Sequence, residues 1–198
     1  MTRLSNLICA GLILGLGSFL LSVPAAYAAP PALNSNTATV GLTAILGESL
    51  TVAATPSSGV SFTLVSGGTA TGSAPVAMTT TWVMSGARGS VTLTGYFTTA
   101  ASALIGQATS PASIPSSEVF GQVTTGAPTT YTAFTQTPTG SALGTAGASL
   151  VLFTQAISGT NRAASRSDNL NLQINLTAQP QLPADTYTGT LNLQAQAL

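Results

Sequence analysis

The residues that could do chemistry are few in this chain, and their types exclude most catalytic mechanisms. The 198 residues include four arginines, four acidic residues and one cysteine, but no histidine and no lysine. Without histidine, neither a Ser-His-Asp nor a Cys-His arrangement can form, and the usual zinc and copper ligand sets are missing. A Ser-Lys pair would need a lysine. We therefore expect a protein that is not an enzyme and that uses no metal or other cofactor.

The four acidic residues offer little further chemistry. A glycosidase needs two facing carboxylates, and the separations between Glu48, Glu118, Asp168 and Asp185 leave any pairing unconstrained. Glu48 and Asp185 lie in turn contexts, which are typical of turn formers or solvated loop residues. Calcium needs clustered oxygen ligands, and Asp168 with Asn169 provides too few. These residues predict no catalytic or metal site.

The most charged stretch runs from Arg162 to Asp168 and includes Arg166. It could contact an anion or a glycan, but we favour a solvated loop with a local Arg–Asp pair, which contributes only about 0–1 kcal/mol. Three dispersed arginines after residue 28 do not form the basic surface that nucleic-acid binding needs. We therefore predict no nucleic-acid partner.

Aromatic residues allow one alternative function, a secreted carbohydrate-binding module. Its sugar-stacking platform would be Trp82 or Tyr131. In the alternating stretch around Trp82, however, the indole shares a face with Met78 and Met84, which is more typical of a sandwich core. Glycan binding therefore stays the alternative.

Residues 1–28 have the pattern of a secretory signal peptide. Arg3 supplies the positive start, residues 7–21 are apolar, and Ala26-Tyr27-Ala28 predicts cleavage after Ala28. The apolar run is shorter than the ~20 residues of a membrane-spanning helix, so we expect no transmembrane segment after cleavage. Cleavage would also remove Cys9. We therefore expect a cysteine-free mature chain that is secreted, periplasmic or at the cell surface.

Charge is scarce: 4% of the residues are charged, against about a quarter in an average domain. The solvent-facing positions must be filled by Thr, Ser, Asn, Gln and Gly. Such a surface has little long-range repulsion, so association is less opposed than usual. This favours self-association, or contact with other envelope proteins, with a glycan as a further candidate partner.

The dominant hydrophobic period is two, which predicts half-buried strands. It is clearest over residues 169–177, where Leu170, Leu172, Ile174 and Leu176 should face inward. The last segment repeats it, and a turn-forming connector over 179–185 separates the two. Residues 100–105 could form a turn or two of helix, while 107–117 and 124–147 resemble long loops or irregular edge strands. Further predicted strands cover 38–46, 49–54, 60–65, 76–84, 90–98, 118–124, 130–135 and 150–156.

Eight to ten short strands with turn signals between them predict one all-β domain over residues 29–198. An antiparallel β-sandwich accounts best for this spacing, and a β-barrel or jelly roll is the alternative.

Two terminal pieces carry a family resemblance. One comprises residues 36–46, 49–53 and 60–64, and the other is Leu182-Pro-Ala-Asp-Thr-Tyr-Thr-Gly-Thr-Leu191. Together they resemble bacterial secreted β-sandwich domains of the fimbrial-subunit and spore-coat-U-like kind. The resemblance implies an immunoglobulin-like sandwich with a structural or assembly role, and it supplies no active site.

The terminal strands suggest how such a protein would assemble. Monomeric proteins usually protect exposed sheet edges with charges or proline, and residues 40–46 and 188–197 carry neither. The sequence therefore predicts a structural or adhesive surface protein, such as a fibre, pilus-like or coat subunit, that assembles by strand addition. The candidate contacts are Val40, Leu42, Leu191 and Leu193.

Tyr187 follows the connector before the last strand. Its hydroxyl could bond to backbone a few residues upstream, as in the tyrosine corner of β-sandwiches, or the ring could be an ordinary core residue.

Overall fold

A computed structural model describes residues 31–109 and 111–198. The predicted signal peptide, its cleavage site after Ala28 and Cys9 lie outside the described residues. The chain divides into two units, Met1–Thr43 and Ala44–Leu198. In the first unit, residues 31–43 are exposed and contain no helix or strand.

The second unit is built from antiparallel strands. A large sheet has the order β1-β3-β10-β7-β8 with β2 beside β10, a second sheet has the order β12-β4-β9, and a small sheet has the order β11-β5-β6. The strands are β1 (Ser49–Thr55), β2 (Thr69–Thr71), β3 (Val76–Val83), β4 (Ser90–Tyr96), β5 (Leu104–Gly106), β6 (Ser113–Ile114), β7 (Val119–Val123), β8 (Thr132–Ala133), β9 (Ser149–Ala156), β10 (Ala163–Asn175), β11 (Tyr187–Thr188) and β12 (Asn192–Ala197). A short 3₁₀ turn, Ser116–Glu118, precedes β7. The all-β antiparallel prediction is confirmed, and the sheets formed by the described residues do not close into a barrel.

The two larger sheets share one apolar core. Side chains along β10 and just after it point inward as predicted, since Leu170, Leu172, Ile174 and Leu176 are all buried. The same alternation appears on β3, where every second residue is buried. β10 pairs with β3 and β2 on one side and with β7 on the other, so it is the central strand of the large sheet.

The local Arg–Asp pair predicted between Arg162 and Asp168 is present, but the prediction that this stretch is a solvated loop is wrong. β10 begins at Ala163, and its first half pairs with β3 residue by residue. Arg166 and Asp168 are two residues apart, so in a strand they share the inward face. The burial is possible because Asp168 is paired: Arg166 Nε donates to Asp168 Oδ2 at 2.7 Å, and the Thr125 hydroxyl donates to Oδ1 at 2.5 Å. The Arg166 guanidinium also lies 4.6 Å from the centre of the Phe153 ring.

Burial alone would raise the pKa of Asp168, but the hydrogen bonds from Arg166 and Thr125 outweigh it. The pKa of this carboxyl therefore lies below its ordinary value, and the group is charged in the folded protein at neutral pH.

Three other predicted elements differ from the structure. Residues 38–46 form no strand. A strand needs a neighbouring strand to bond to its backbone N–H and C=O groups, and this segment pairs with none of the described strands. Residues 60–65 contribute only a bridge between Phe62 and Gly72. Residues 100–105 are not helical: the Ala100 carbonyl accepts from Ser116 N, and Ala103 N donates to the Ile114 carbonyl, so their backbone groups bond across to another segment.

Candidate strand-addition site

Two end strands lie next to each other on one side of the sandwich. β1 is the last strand of the large sheet and β12 is the last strand of the second sheet, and the two are in contact. Among the described residues, neither strand has a partner on its outer side. Neither contains a charged residue or a proline. We call the strip between β1 and β12 the seam.

The core is incomplete along the seam. The inward residues of β12, Leu193, Ala195 and Ala197, are only half-buried, and so are Leu50 and Val52 on β1. A cleft of about 320 Å³ opens between these two strands. Its walls are formed by Glu48, Ser49, Leu50, Met84, Arg88, Ala195, Gln196 and Ala197. The seam therefore exposes both unpaired backbone and apolar surface, which a further strand could cover.

A polar clamp ties three elements together at one end of the seam. Ser85 N donates to Glu48 Oε1 at 2.8 Å, and Arg88 Nη2 lies 3.2 Å from Glu48 Oε2. Arg88 Nη1 also donates to the Ala197 carbonyl at 3.4 Å. Hydrogen bonds from Ser85 and then Arg88 lower the pKa of Glu48 to about 2. The clamp fixes the start of β1 beside the end of β12, so the width of the seam is set there.

The predicted contacts fall in both units. Val40 and Leu42 are 83% and 92% exposed in the segment that forms no strand. Leu191 and Leu193 are half-buried core-packing residues, one just before β12 and one within it. The structure thus brings Leu191 and Leu193 to the seam side of the second sheet, while contact of Val40 or Leu42 with the seam stays a prediction. Sequence reasoning missed β1 as the second edge, although it is as free of charge and proline as β12.

Tyr187 lies on β11, and its hydroxyl donates to the Pro183 carbonyl at 2.7 Å. A bond from a tyrosine hydroxyl to backbone a few residues upstream is the interaction that defines a tyrosine corner. It anchors the connector over 179–185 next to the small sheet.

The aromatic platform for a glycan has little support. Trp82 is 3% exposed, and its indole N–H donates to the Asn161 carbonyl at 2.9 Å. Tyr131 is exposed in the loop before β8. A stacking surface built on Trp82 would require the core to open.

Glu118 is a buried carboxyl in the 3₁₀ turn before β7. Its Oε2 accepts no hydrogen bond from the described residues. Burial raises the pKa of this group above its ordinary value. Because the fold favours the protonated form, stability should increase as the pH falls from neutral towards 4.5, the ordinary value for Glu.

We therefore expect Glu118→Gln to raise the free energy of unfolding at pH 7 by about 1 kcal/mol, because it removes a buried charge that lacks a partner. The gain should shrink as the pH is lowered to 5. Chemical denaturation at the two pH values measures both effects. Glu48→Gln is the control, and it should lower the free energy of unfolding. The pKa of Glu48 is depressed, so the fold favours the charged form that this substitution removes. A Glu118→Gln protein that is less stable at pH 7 would contradict the assignment.

Within residues 31–109 and 111–198, no group of three or more His, Cys, Asp or Glu side chains could hold a metal ion. No helix in the same part of the chain is long and apolar enough to cross a membrane.

The chain matches no protein-family model, no curated protein and no solved structure. Its resemblance to fimbrial-subunit and spore-coat-U-like domains therefore stays a prediction that depends on the two terminal segments.

Proposed function

We propose that this chain is a secreted, non-enzymatic structural or adhesive surface protein that assembles by strand addition into a fibre, pilus-like structure or coat. In this proposal, residues 38–46 of one copy enter the seam between β1 and β12 of the next copy. Each copy would then be both a donor and an acceptor, and the contact repeats head to tail.

The observation that carries the proposal is the open seam. Two sheet edges without a partner among the described strands lie side by side there, and the apolar side chains between them are only half-buried. An added strand would bond to an edge through its backbone and cover the apolar floor with alternate side chains. At ~3.4 Å per residue, nine extended residues span about 30 Å, which is enough to follow the six residues of β12 or the seven of β1.

The donor segment has the matching pattern. Ala38, Val40, Leu42, Ala44 and Leu46 alternate with residues that are mostly threonine or glycine. Val40, Leu42 and Leu46 are each more than 80% exposed. Complete burial of such side chains contributes about 1.5–3 kcal/mol each, against which the lost freedom of the two molecules must be set. The energy gained by burying these side chains is thus partly cancelled by the cost of association. We therefore expect the copies to associate to an extent that rises with concentration.

The alternative is a secreted carbohydrate-binding module. The buried Trp82 removes its best stacking residue, and the exposed Tyr131 is a single ring. The strand-addition proposal is therefore better supported.

The test is the oligomeric state of the chain that begins at the predicted Ala29. We expect oligomers whose size rises with concentration. Val40→Lys or Leu42→Lys should weaken them by at least about tenfold in the association constant, because each places a charge where the segment would be buried. Thr39→Lys and Thr43→Lys are the matched controls, since they add the same charge to the same segment at the alternate positions that would face solvent. Sedimentation equilibrium measures all four.

The proposal fails if the unmodified chain is a strict monomer at high concentration. It also fails if lysine at position 39 or 43 weakens the oligomers as much as lysine at position 40 or 42, because the segment would then not insert with one face inward.

A further inference from the structure

The two sides of the sandwich differ, because the side opposite to β12 in the second sheet is covered at the beginning of its end strand. The end strand there is β9, and Gln136, three residues after the end of β8, forms an isolated bridge with Ser149 at the start of β9. β8, the end strand of the large sheet on this side, is only two residues long. Phe134 follows it and is fully buried, in edge-to-face contact with Phe97 at 5.2 Å between ring centres. This segment therefore links the two sheets on the side opposite to the seam.

Gln136 occupies the outer edge of β9 with both its backbone and its side chain. Its N–H donates to the Ser149 carbonyl at 2.8 Å, and its carbonyl accepts from Ser149 N at 3.3 Å. Its side-chain Oε1 then accepts from Val151 N at 2.8 Å. One residue thus satisfies three consecutive outward backbone groups of β9, and the side-chain amide takes the place of the next residue of a pairing strand.

Neighbouring bonds hold this arrangement in place. Ser149 Oγ donates to the Thr145 carbonyl at 2.7 Å and accepts from Thr145 N at 2.7 Å. The Gln196 side chain donates to the Ser141 carbonyl at 2.7 Å, which fastens the loop after Gln136 to the second sheet. The Gln196 contact holds the same loop but touches none of the backbone groups of β9.

We infer that Gln136 is an edge cap that prevents strands from adding to β9. The inference builds on the proposed function in one respect: with β9 capped, addition is confined to the seam, and each copy accepts a single strand. Without the cap, β9 would present an eight-residue strand that contains no charge and no proline, which is the type of edge that pairs with other chains.

The test compares two equal substitutions in the full chain that begins at the predicted Ala29. Both are made in a Leu42→Lys background, where donation of residues 38–46 should be weakened. Gln136→Met keeps the length of the side chain but removes the oxygen that Val151 N uses. Gln122→Met is the matched control, because the Gln122 side chain on β7 donates to the Thr129 carbonyl at 2.8 Å and bonds to none of the backbone groups of β9. Amide hydrogen exchange at Val151 and light scattering over time are the two measurements.

We expect Gln136→Met to speed exchange at Val151 about tenfold, as for the loss of one hydrogen bond, and to cause oligomers that grow with time. Gln122→Met should do neither. The inference is overturned if exchange at Val151 does not change, or if exchange speeds up and scattering stays at the level of Leu42→Lys alone. It is also overturned if both methionine variants associate equally. Failure of strand donation would appear separately, as unchanged association of Leu42→Lys relative to the unmodified chain.

Discussion

Leu172→Asp and Ile174→Asp are each expected to leave the chain largely unfolded at room temperature. Both side chains are buried on β10, the central strand of the large sheet. Each substitution would place a carboxylate in the shared core with no partner, at a cost of about 4–5 kcal/mol or more. That cost is comparable to the lower end of the roughly 5–15 kcal/mol that stabilises a typical domain. Circular dichroism and denaturant titration would show the loss of the β signal.

Asn171→Asp and Gln173→Asp are the matched controls. They introduce the same residue on the same strand, at positions that are not fully buried and face away from the core. We expect each to change the free energy of unfolding by no more than about 1 kcal/mol. If all four variants behaved alike, the assignment of the two faces of β10 would be wrong.

Arg166→Ala should destabilise the fold by about 3 kcal/mol. The loss comes less from the attraction between the ions than from Asp168, which would stay buried without its cation. Packing of the guanidinium on the Phe153 ring would be lost as well. Denaturant titration at pH 7 measures the change in the free energy of unfolding.

Arg162→Ala is the control for this prediction, because Arg162 donates to the Ser85 carbonyl at the surface and should contribute less than about 1 kcal/mol. The loss of folding stability at acid pH gives a second measurement. Since the pKa of Asp168 is depressed, its contribution is present above its ordinary value of 3.8 and is lost as the pH falls below it. In Arg166→Ala, the free energy of unfolding should therefore decrease less as the pH falls through this range. Equal effects of the two alanine variants would contradict the buried pair.

The sequence was most informative where alternation and burial coincide. Leu170, Leu172, Ile174 and Leu176 could be placed in the core from their spacing alone, because a strand with one buried face must alternate. The Arg162–Asp168 stretch was misjudged because charged residues normally indicate solvent. The spacing of two between Arg166 and Asp168 is compatible with a strand, but only the structure shows that Thr125 and Phe153 meet them.

The site was partly predictable for a similar reason. β12 could be identified as an uncharged terminal strand, yet nothing in the sequence says that β1 lies beside it, since that pairing depends on how two sheets meet. The alternation over residues 38–46 is real, but it does not create a strand without a neighbouring one. The edge cap at Gln136 was hidden within a stretch rich in Ser, Thr, Gly and Pro, which by composition resembles a loop.

The most direct test of strand addition is disulfide trapping between copies. The predicted mature chain has no cysteine, so Leu42→Cys and Ala195→Cys each introduce a single thiol. A disulfide requires the two Cα atoms to come within about 7 Å. When the two variants are mixed and oxidised, we expect mixed dimers to form several times faster than when Leu42→Cys is mixed with Thr154→Cys, which is exposed on β9. Equal rates in the two mixtures, or no mixed dimer with Ala195→Cys, would contradict the insertion of residues 38–46 into the seam.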